Sequence, residues 1–266
     1  MANAKPMLDP AERTARGLKL QAEYTASPER EAVTLMQQSW RDFVYAEIWS
    51  RPGLDLRARF LISLAGAASV GHPHAMNAYA RGALSTSSLT LGELREAALH
   101  VAVYGGWSAG SLMDAEISRA AEVLGIAAAD TPPIRAGAWD AQVRMTEGAA
   151  EFENVMTFGG PKPGNGFPYL QDGILNFVFG EMWCRDGLDQ RSRRYLTLVG
   201  VAESCADTPI RSHFHAAMAS GNCTAAELNE FVLQYAVHAG WPKASVIQGV
   251  VMQMAKKVAD GLPWNG

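Results

Sequence analysis

The sequence contains one long stretch twice. Displacing the chain against itself by 134 residues lays Trp49–Trp107 on Trp183–Trp241 without a gap, and 20 of the 59 aligned pairs are identical. The identities cluster. Trp-x-Arg-x-Gly-Leu-Asp-x-Arg-x-Arg opens both copies, at Trp49–Arg59 and Trp183–Arg193, and Gly-Trp closes both, at Gly106-Trp107 and Gly240-Trp241. A repeat this long is a duplicated domain, so the fold must be built twice from one plan. The 266 residues suffice for two small units packed together, each with a modest core of its own. The chain divides on this reading into a first repeat over residues 9–126, a linker over 127–138 around Pro132-Pro133, and a second repeat over 139–262.

Hydrophobic spacing inside each copy is helical. Leu61, Leu64, Ala65 and Ala68 recur at i, i+3, i+4 and i+7, and Tyr195, Leu198, Val199 and Ala202 repeat the pattern. Asp55 is placed to cap the first of these helices. Thr90-x-x-Glu93 and Thr224-x-x-Glu227 are capping boxes opening further helices, with stripes Leu94, Ala97, Ala98, Val101 and Leu228, Phe231, Val232, Tyr235. A lead-in helix spans Glu12 to about Ala26, and Val33, Met36, Trp40, Phe43, Val44 and Ile48 are spaced to form one buried stripe up to Trp49. Arg144-x-x-x-Gly148 mirrors Arg13-x-x-x-Gly17, after which the second copy carries a turn-rich insertion at 159–166. That insertion lacks the Gly-Lys-Ser/Thr ending and the preceding strand of a phosphate loop, so it reads as a plain loop. No strand alternation intervenes, and the fold class is all-α.

Composition narrows the function. With 48% apolar and 19% charged residues and a net charge of -4, the chain is globular and offers nothing to nucleic acid or an anionic membrane. Cys184, Cys205 and Cys223 form neither a disulfide framework nor a zinc pattern. Residues 1–9 lack the apolar core of a signal peptide and no run of 18 apolar residues occurs, so a soluble cytoplasmic protein is expected.

The second copy, read as Gly180-Glu181-x-Trp183-x-Arg185-x-Gly187-Leu188-Asp189-x-Arg191-x-Arg193, then Leu196-Thr197-Leu198, His213, Thr224-x-x-Glu227-Leu228 and Ala236-Val237-His238-Ala239-Gly240, resembles the carboxymuconolactone decarboxylase family. The first copy is similar, with Glu47-x-Trp49-Ser50-Arg51-Pro52-Gly53-Leu54-Asp55 and Leu99-His100-Val101-Ala102-Val103-Tyr104. The resemblance implies two tandem alkylhydroperoxidase-D-like helical domains. It also implies cofactor-free decarboxylation and a homotrimer of tandem chains that keeps six units in a ring.

The resemblance gives His213 a proton-transfer role, which suits decarboxylation because the dienolate carbon left behind must be protonated. Tyr79 occupies the matching position of the first copy, so the second copy is expected to be the active one and the first chiefly architectural. Glu181 is a second catalytic candidate. Arg185, Arg191 and Arg193, with Trp183, His238 and Tyr79, are candidates for binding a small carboxylate substrate, since guanidinium forks suit carboxylates. Glu-Arg pairing at a helix start is the favoured role for Arg191 and Arg193, because Arg57 and Arg59 repeat them in the copy without the histidine. Trp183 reads more simply as core, and His238 either lines the His213 pocket or caps a helix. His215 is expected at the surface or an interface, and Glu203 facing solvent.

The family's thiol peroxidases carry Cys-x-x-Cys ahead of the histidine, where this chain has Ala206 and Pro209, and a glutamate where it has Arg194. A thiol relay is therefore disfavoured. His72, His74 and His100 supply no fixed metal geometry, so neither metal nor cofactor is expected. The function expected is a decarboxylase or related lactone isomerase of aromatic-compound catabolism, acting on a small carboxylated lactone or keto acid. The alternative is a non-catalytic member that binds a small ligand or serves as scaffold.

Overall fold

The computed structural model describes residues 9–128, 131–135, 137–164 and 166–266. Residues 1–8, and with them the N-terminal stretch read above, lie outside it, as do parts of the expected linker (129, 130, 136) and Asn165 in the insertion. Among the described residues the regular structure is helical, with no strand. The first repeat comprises α1 (Pro10–Thr25), α2 (Leu35–Ser39) running into a π-helical segment (Trp40–Trp49), α3 (Leu56–Ser69), α4 (Pro73–Ser85), α5 (Leu91–Gly105) and α6 (Trp107–Val123). The second repeats the order with α7 (Ala141–Met156), a π-helical segment (Tyr169–Met182), α8 (Gln190–Ser204), α9 (Asp207–Ala219), α10 (Ala225–Ala239) and α11 (Trp241–Ala259).

Local chemistry fixes these boundaries. Asp55 and Asp189 accept backbone N–H bonds from Ala58 (2.7 Å) and Ser192 (2.8 Å), starting α3 and α8. Both expected capping boxes form, at Thr90/Glu93 and Thr224/Glu227. Gly106 and Gly240 end α5 and α10 with φ of 91° and 83°, which glycine adopts without the Cβ clash other residues meet.

One stripe departs from expectation. Val44 and Ile48 are buried, but Val33, Met36 and Phe43 are exposed. A capping box at Thr34 and Gln37 delays the helix until Leu35, which leaves Val33 outside it. The π-helical turns that follow bond i to i+5 rather than i+4, so a 3.6-residue periodicity no longer describes which side chains share a face.

The two repeats face each other across an internal pseudo-two-fold axis, and contacts occur in mirrored sets 134 residues apart. Arg51 binds Glu230 (2.5 Å) while Arg185 binds Glu96 (2.5 Å). Arg57 reaches Asp189 (3.1 Å) while Arg191 reaches Asp55 (2.8 Å). Phe43 stacks near Trp241 at 6.2 Å while Trp107 stacks on Phe177 at 5.8 Å. Helices α3, α5, α8 and α10 meet at the centre, where Leu61, Leu64, Leu198, Val199, Leu228 and Phe231 join one apolar core drawn from both halves. Each such side chain contributes about 1.5–3 kcal/mol when fully buried, so neither half's core is complete alone.

Candidate functional site

The pseudo-axis decides which rings meet. Tyr79 on α4 stacks on Trp49 of its own repeat at 5.6 Å and also reaches across the axis; its hydroxyl lies 3.1 Å from Nε2 of His238 on α10, with the rings edge-on at 5.5 Å and 89°. His213 on α9 correspondingly meets Tyr104 on α5, edge-on at 5.6 Å and 88°. The first repeat thus supplies a tyrosine to both clusters and the second supplies a histidine to both. Tyr79 marks a change of position rather than the loss of an imidazole, because His238 restores one across the axis.

Around His213 the surroundings are polar but incompletely bonded. Trp183 donates Nε1–H to the Tyr104 hydroxyl at 2.9 Å, and His100 packs edge-on against Trp183 at 5.0 Å while its Nε2 lies 2.9 Å from Thr197 Oγ1. Arg194 on α8, fully buried, sets its guanidinium 5.1 Å from the centre of the Trp183 ring. It donates to the Val155 carbonyl (2.6 Å) and to Asn222 Oδ1 (3.3 Å). No carboxylate among the described residues pairs with it. Its Nη1, His213 Nδ1 and His100 Nδ1 are all buried without a partner. Buried polar nitrogens rarely go unbonded, and three lie in one neighbourhood here.

Burial lowers the Arg194 pKa to about 10, with no carboxylate to hold it up. Burial, and then the Arg194 charge, lower His213 to about 3, so its imidazole is neutral at pH 7. His100 is lowered well below its usual value by burial first and by Arg193 and Arg194 after it. An anion placed beside Arg194 would cancel that repulsion and raise the proton affinity of both rings.

The other candidate residues divide differently. Trp183 belongs to the His213 cluster, and His238 and Tyr79 form the opposite one, so His238 does not share His213's surroundings. Glu181 is held by Arg144 (2.7 Å) and Arg135 (3.3 Å), mirroring Glu47 with Arg13 (3.3 Å). These ion pairs hold Glu181 Oε2 at the start of the repeat, and its Oε1 is buried without a partner. Arg185 and Arg193 both bind Glu96, and Arg193 also donates to the Arg185 carbonyl at 2.6 Å. Arg191 joins Asp55 and Glu227. These three arginines are consumed in holding the repeats together rather than left for a substrate.

Two surface expectations are also corrected. His215 is buried, with Nε2 2.9 Å from the Leu262 carbonyl, where it pins the C-terminal segment. Glu203 accepts from the Tyr235 hydroxyl (2.6 Å) and Lys243 (2.6 Å), with its side chain only 15% exposed. His72 caps α4 through Nδ1, accepting from Ala75 N at 3.1 Å, and His100 lies with Thr197, so the two do not converge. Cys184 and Cys205 are exposed and Cys223 buried, all unpaired.

Sequence reasoning treated Arg194 only as a departure from a family pattern and passed over Tyr104 and Thr197 as site residues. A signal was present. The self-alignment sets Tyr79 against His213 and Tyr104 against His238, two positions where the same pair of ring types differs in the same sense. Reading it required knowing that partners come from opposite repeats.

With this geometry in view, comparison with known proteins gives a consistent result. The model of the carboxymuconolactone decarboxylase family matches residues 34–111 and again 168–250, more than half of the chain. A 4-carboxymuconolactone decarboxylase from Acinetobacter baylyi is 30% identical over 93 residues, covering 35% of this chain and 66% of that relative, just short of two thirds of its length. No helix among the described residues is long and apolar enough to cross a membrane.

Proposed function

The chain belongs to the carboxymuconolactone decarboxylase family, with decarboxylase-like function at the family level, and from that premise we propose that it is a cofactor-independent carboxy-lyase for a small carboxylated lactone or keto acid of aromatic-compound catabolism. The observation that carries this reading is the fully buried, carboxylate-free guanidinium of Arg194 beside the unbonded nitrogens of His213 and His100. A substrate carboxylate held by Arg194 would form the charge-assisted bonds the protein itself leaves open. Loss of carbon dioxide sends the carbon–carbon bonding pair into the ring as a dienolate, and a carbon of that dienolate that carries the negative charge then takes a proton from His213. His213 recovers that proton from solvent. Burial, with the Arg194 charge as the lesser cause, keeps free His213 neutral, and a substrate carboxylate beside Arg194 would raise the ring's proton affinity by offsetting that lesser part.

Carbon dioxide release from 4-carboxymuconolactone and related carboxylated lactones tests the proposal. His213→Ala is expected to lose about 10²–10⁴ in kcat, and Arg194→Met to raise KM as well as lower kcat. Undiminished turnover in His213→Ala would remove the proton-transfer role. The reading extends to a cytoplasmic assembly of three tandem chains with no nucleic-acid or membrane partner. It is supported by the exposed Trp107 and Trp241 at pseudo-equivalent positions, and a light-scattering mass of one chain would refute the trimer.

A further inference from the structure

The first repeat contains a cavity of about 660 Å³, a volume that suits a small ring compound. Trp40, Tyr45 and Tyr79 form part of its wall, with Met36 and Ala78 adding apolar surface. In this wall Tyr45 shares a hydrogen bond with Tyr79, and behind it the Tyr79 hydroxyl lies 3.1 Å from His238 Nε2, so that three polar groups stand in series. Burial lowers His238 to about 4, so the imidazole is neutral and the series carries no charge at pH 7. The position of Arg194 is taken here by Phe60, which packs edge-on against Trp49 at 5.1 Å and Tyr24 at 6.1 Å. Of the charged lining residues, Arg30 and Glu31 are exposed and of opposite sign, and Arg81 is half-buried with its guanidinium engaged, donating to Asn77 Oδ1 (3.1 Å) and to the Ala26 carbonyl (3.1 Å).

We propose that this cavity is a second ligand site, for a small cyclic or aromatic compound that presents an uncharged oxygen to the Tyr45–Tyr79–His238 series. Its chemistry is the complement of the His213 cluster. One half offers a buried cation, which selects an anion; the other offers neutral hydroxyls and aromatic faces, which select a neutral ring, since a carboxylate at the Tyr45–Tyr79–His238 series would face uncharged groups while the Arg81 guanidinium of the wall is bonded to Asn77 and Ala26. The proposal goes beyond the decarboxylase reading and rests on different residues, so either can fail alone.

The test is a titration of the full chain followed by tryptophan emission, to which Trp40 in the wall contributes. Phenol and but-2-enolide, an uncharged unsaturated lactone, serve as neutral probes and benzoate as the charged counterpart. Saturable binding of the neutral probes is expected, at least tenfold tighter than benzoate. Tyr79→Phe should weaken it about two- to tenfold through the lost hydrogen bond, Ala78→Phe should abolish it by filling the cavity, and Arg194→Met should leave it unchanged. Met36→Trp at the exposed edge replaces Ala78→Phe if circular dichroism shows that the latter does not fold. The proposal is overturned by absence of saturable binding, by benzoate binding equally well, by indifference to both Tyr79→Phe and the filling variant, or by loss of binding in Arg194→Met.

Discussion

In the first repeat, the tryptophan that opens the shared motif sits in the main core. Trp49 contacts Tyr24, Phe60 and Tyr79, and the apolar packing runs unbroken from α1 to the pseudo-axis. In the second repeat, Trp183 belongs to a separate small cluster with Val155, Met156, Phe179 and Ala216. The difference traces to one position, Phe60 against Arg194. A phenyl ring continues a core, whereas a guanidinium interrupts it and must be bonded to the Val155 carbonyl and Asn222. The first half fills this position with apolar packing, and the second gives up some of that packing to a buried charge.

Substitutions at equivalent positions probe how far that contrast goes. The largest effect is expected at the mirrored carboxylates. Glu96→Ala strands Arg185 and Arg193, whose side chains are 10% and 2% exposed, and should cost about 3–5 kcal/mol in denaturant unfolding. Glu230→Ala strands Arg51, already 34% exposed, and Arg59, and should cost measurably less. Equal losses would mean that the halves are held with equal force.

A smaller effect is expected where a lead-in helix meets its neighbour. A Cβ on Gly82 would stand 1.9 Å from the Tyr24 carbonyl oxygen, whereas the second repeat accommodates Ala216 at that place. Gly82→Ala should destabilise by about 1–3 kcal/mol through overpacking, and Ala216→Gly by only about 0.5–1 kcal/mol through backbone freedom. Matching costs would show that α7 sits as tightly as α1.

A further contrast concerns acid. His213 and His238 have folded pKa values lowered to about 3 and about 4, chiefly by burial. The unfolded chain therefore binds more protons below about pH 6.5, and stability falls as pH drops from there, by at most about 1.4 kcal/mol per pH unit for each histidine. Urea midpoints between pH 6.5 and 5 should decline in the wild type, and His213→Gln and His238→Gln should each make the slope shallower. A change in only one variant would show that one ring is protonated without unfolding.

How much of this could be read from the sequence depended on whether the information was local. Caps at Asp55, Thr90 and Thr224, glycine ends at Gly106 and Gly240, and the stripes of α3, α5, α8 and α10 are set by residues within a turn or two of each other. The stripe through Val33, Met36 and Phe43 could not be read, because Val33 precedes the helix that Thr34 caps, the short α2 carrying Met36 buries none of its residues, and π-helical winding changes the period at Phe43. The arginines of the shared motif were correctly suspected of ion pairing, but their partners, Glu96 and Glu230, lie in the opposite repeat. The clusters were illegible for the same reason. His213 was visible as a candidate; that its ring partner would be Tyr104, and that His238 would face Tyr79, follows only from the pseudo-axis.

That axis also bears on how such an asymmetric molecule can arise. In a dimer of identical subunits every substitution is made on both sides of the contact, so a buried guanidinium would appear twice and the core would be broken twice. Covalent tandem linkage removes this constraint. A chain whose halves still clasp each other as twins do can nevertheless mutate one without the other, letting a buried charge stand in one half and a phenyl ring at the same place in the other.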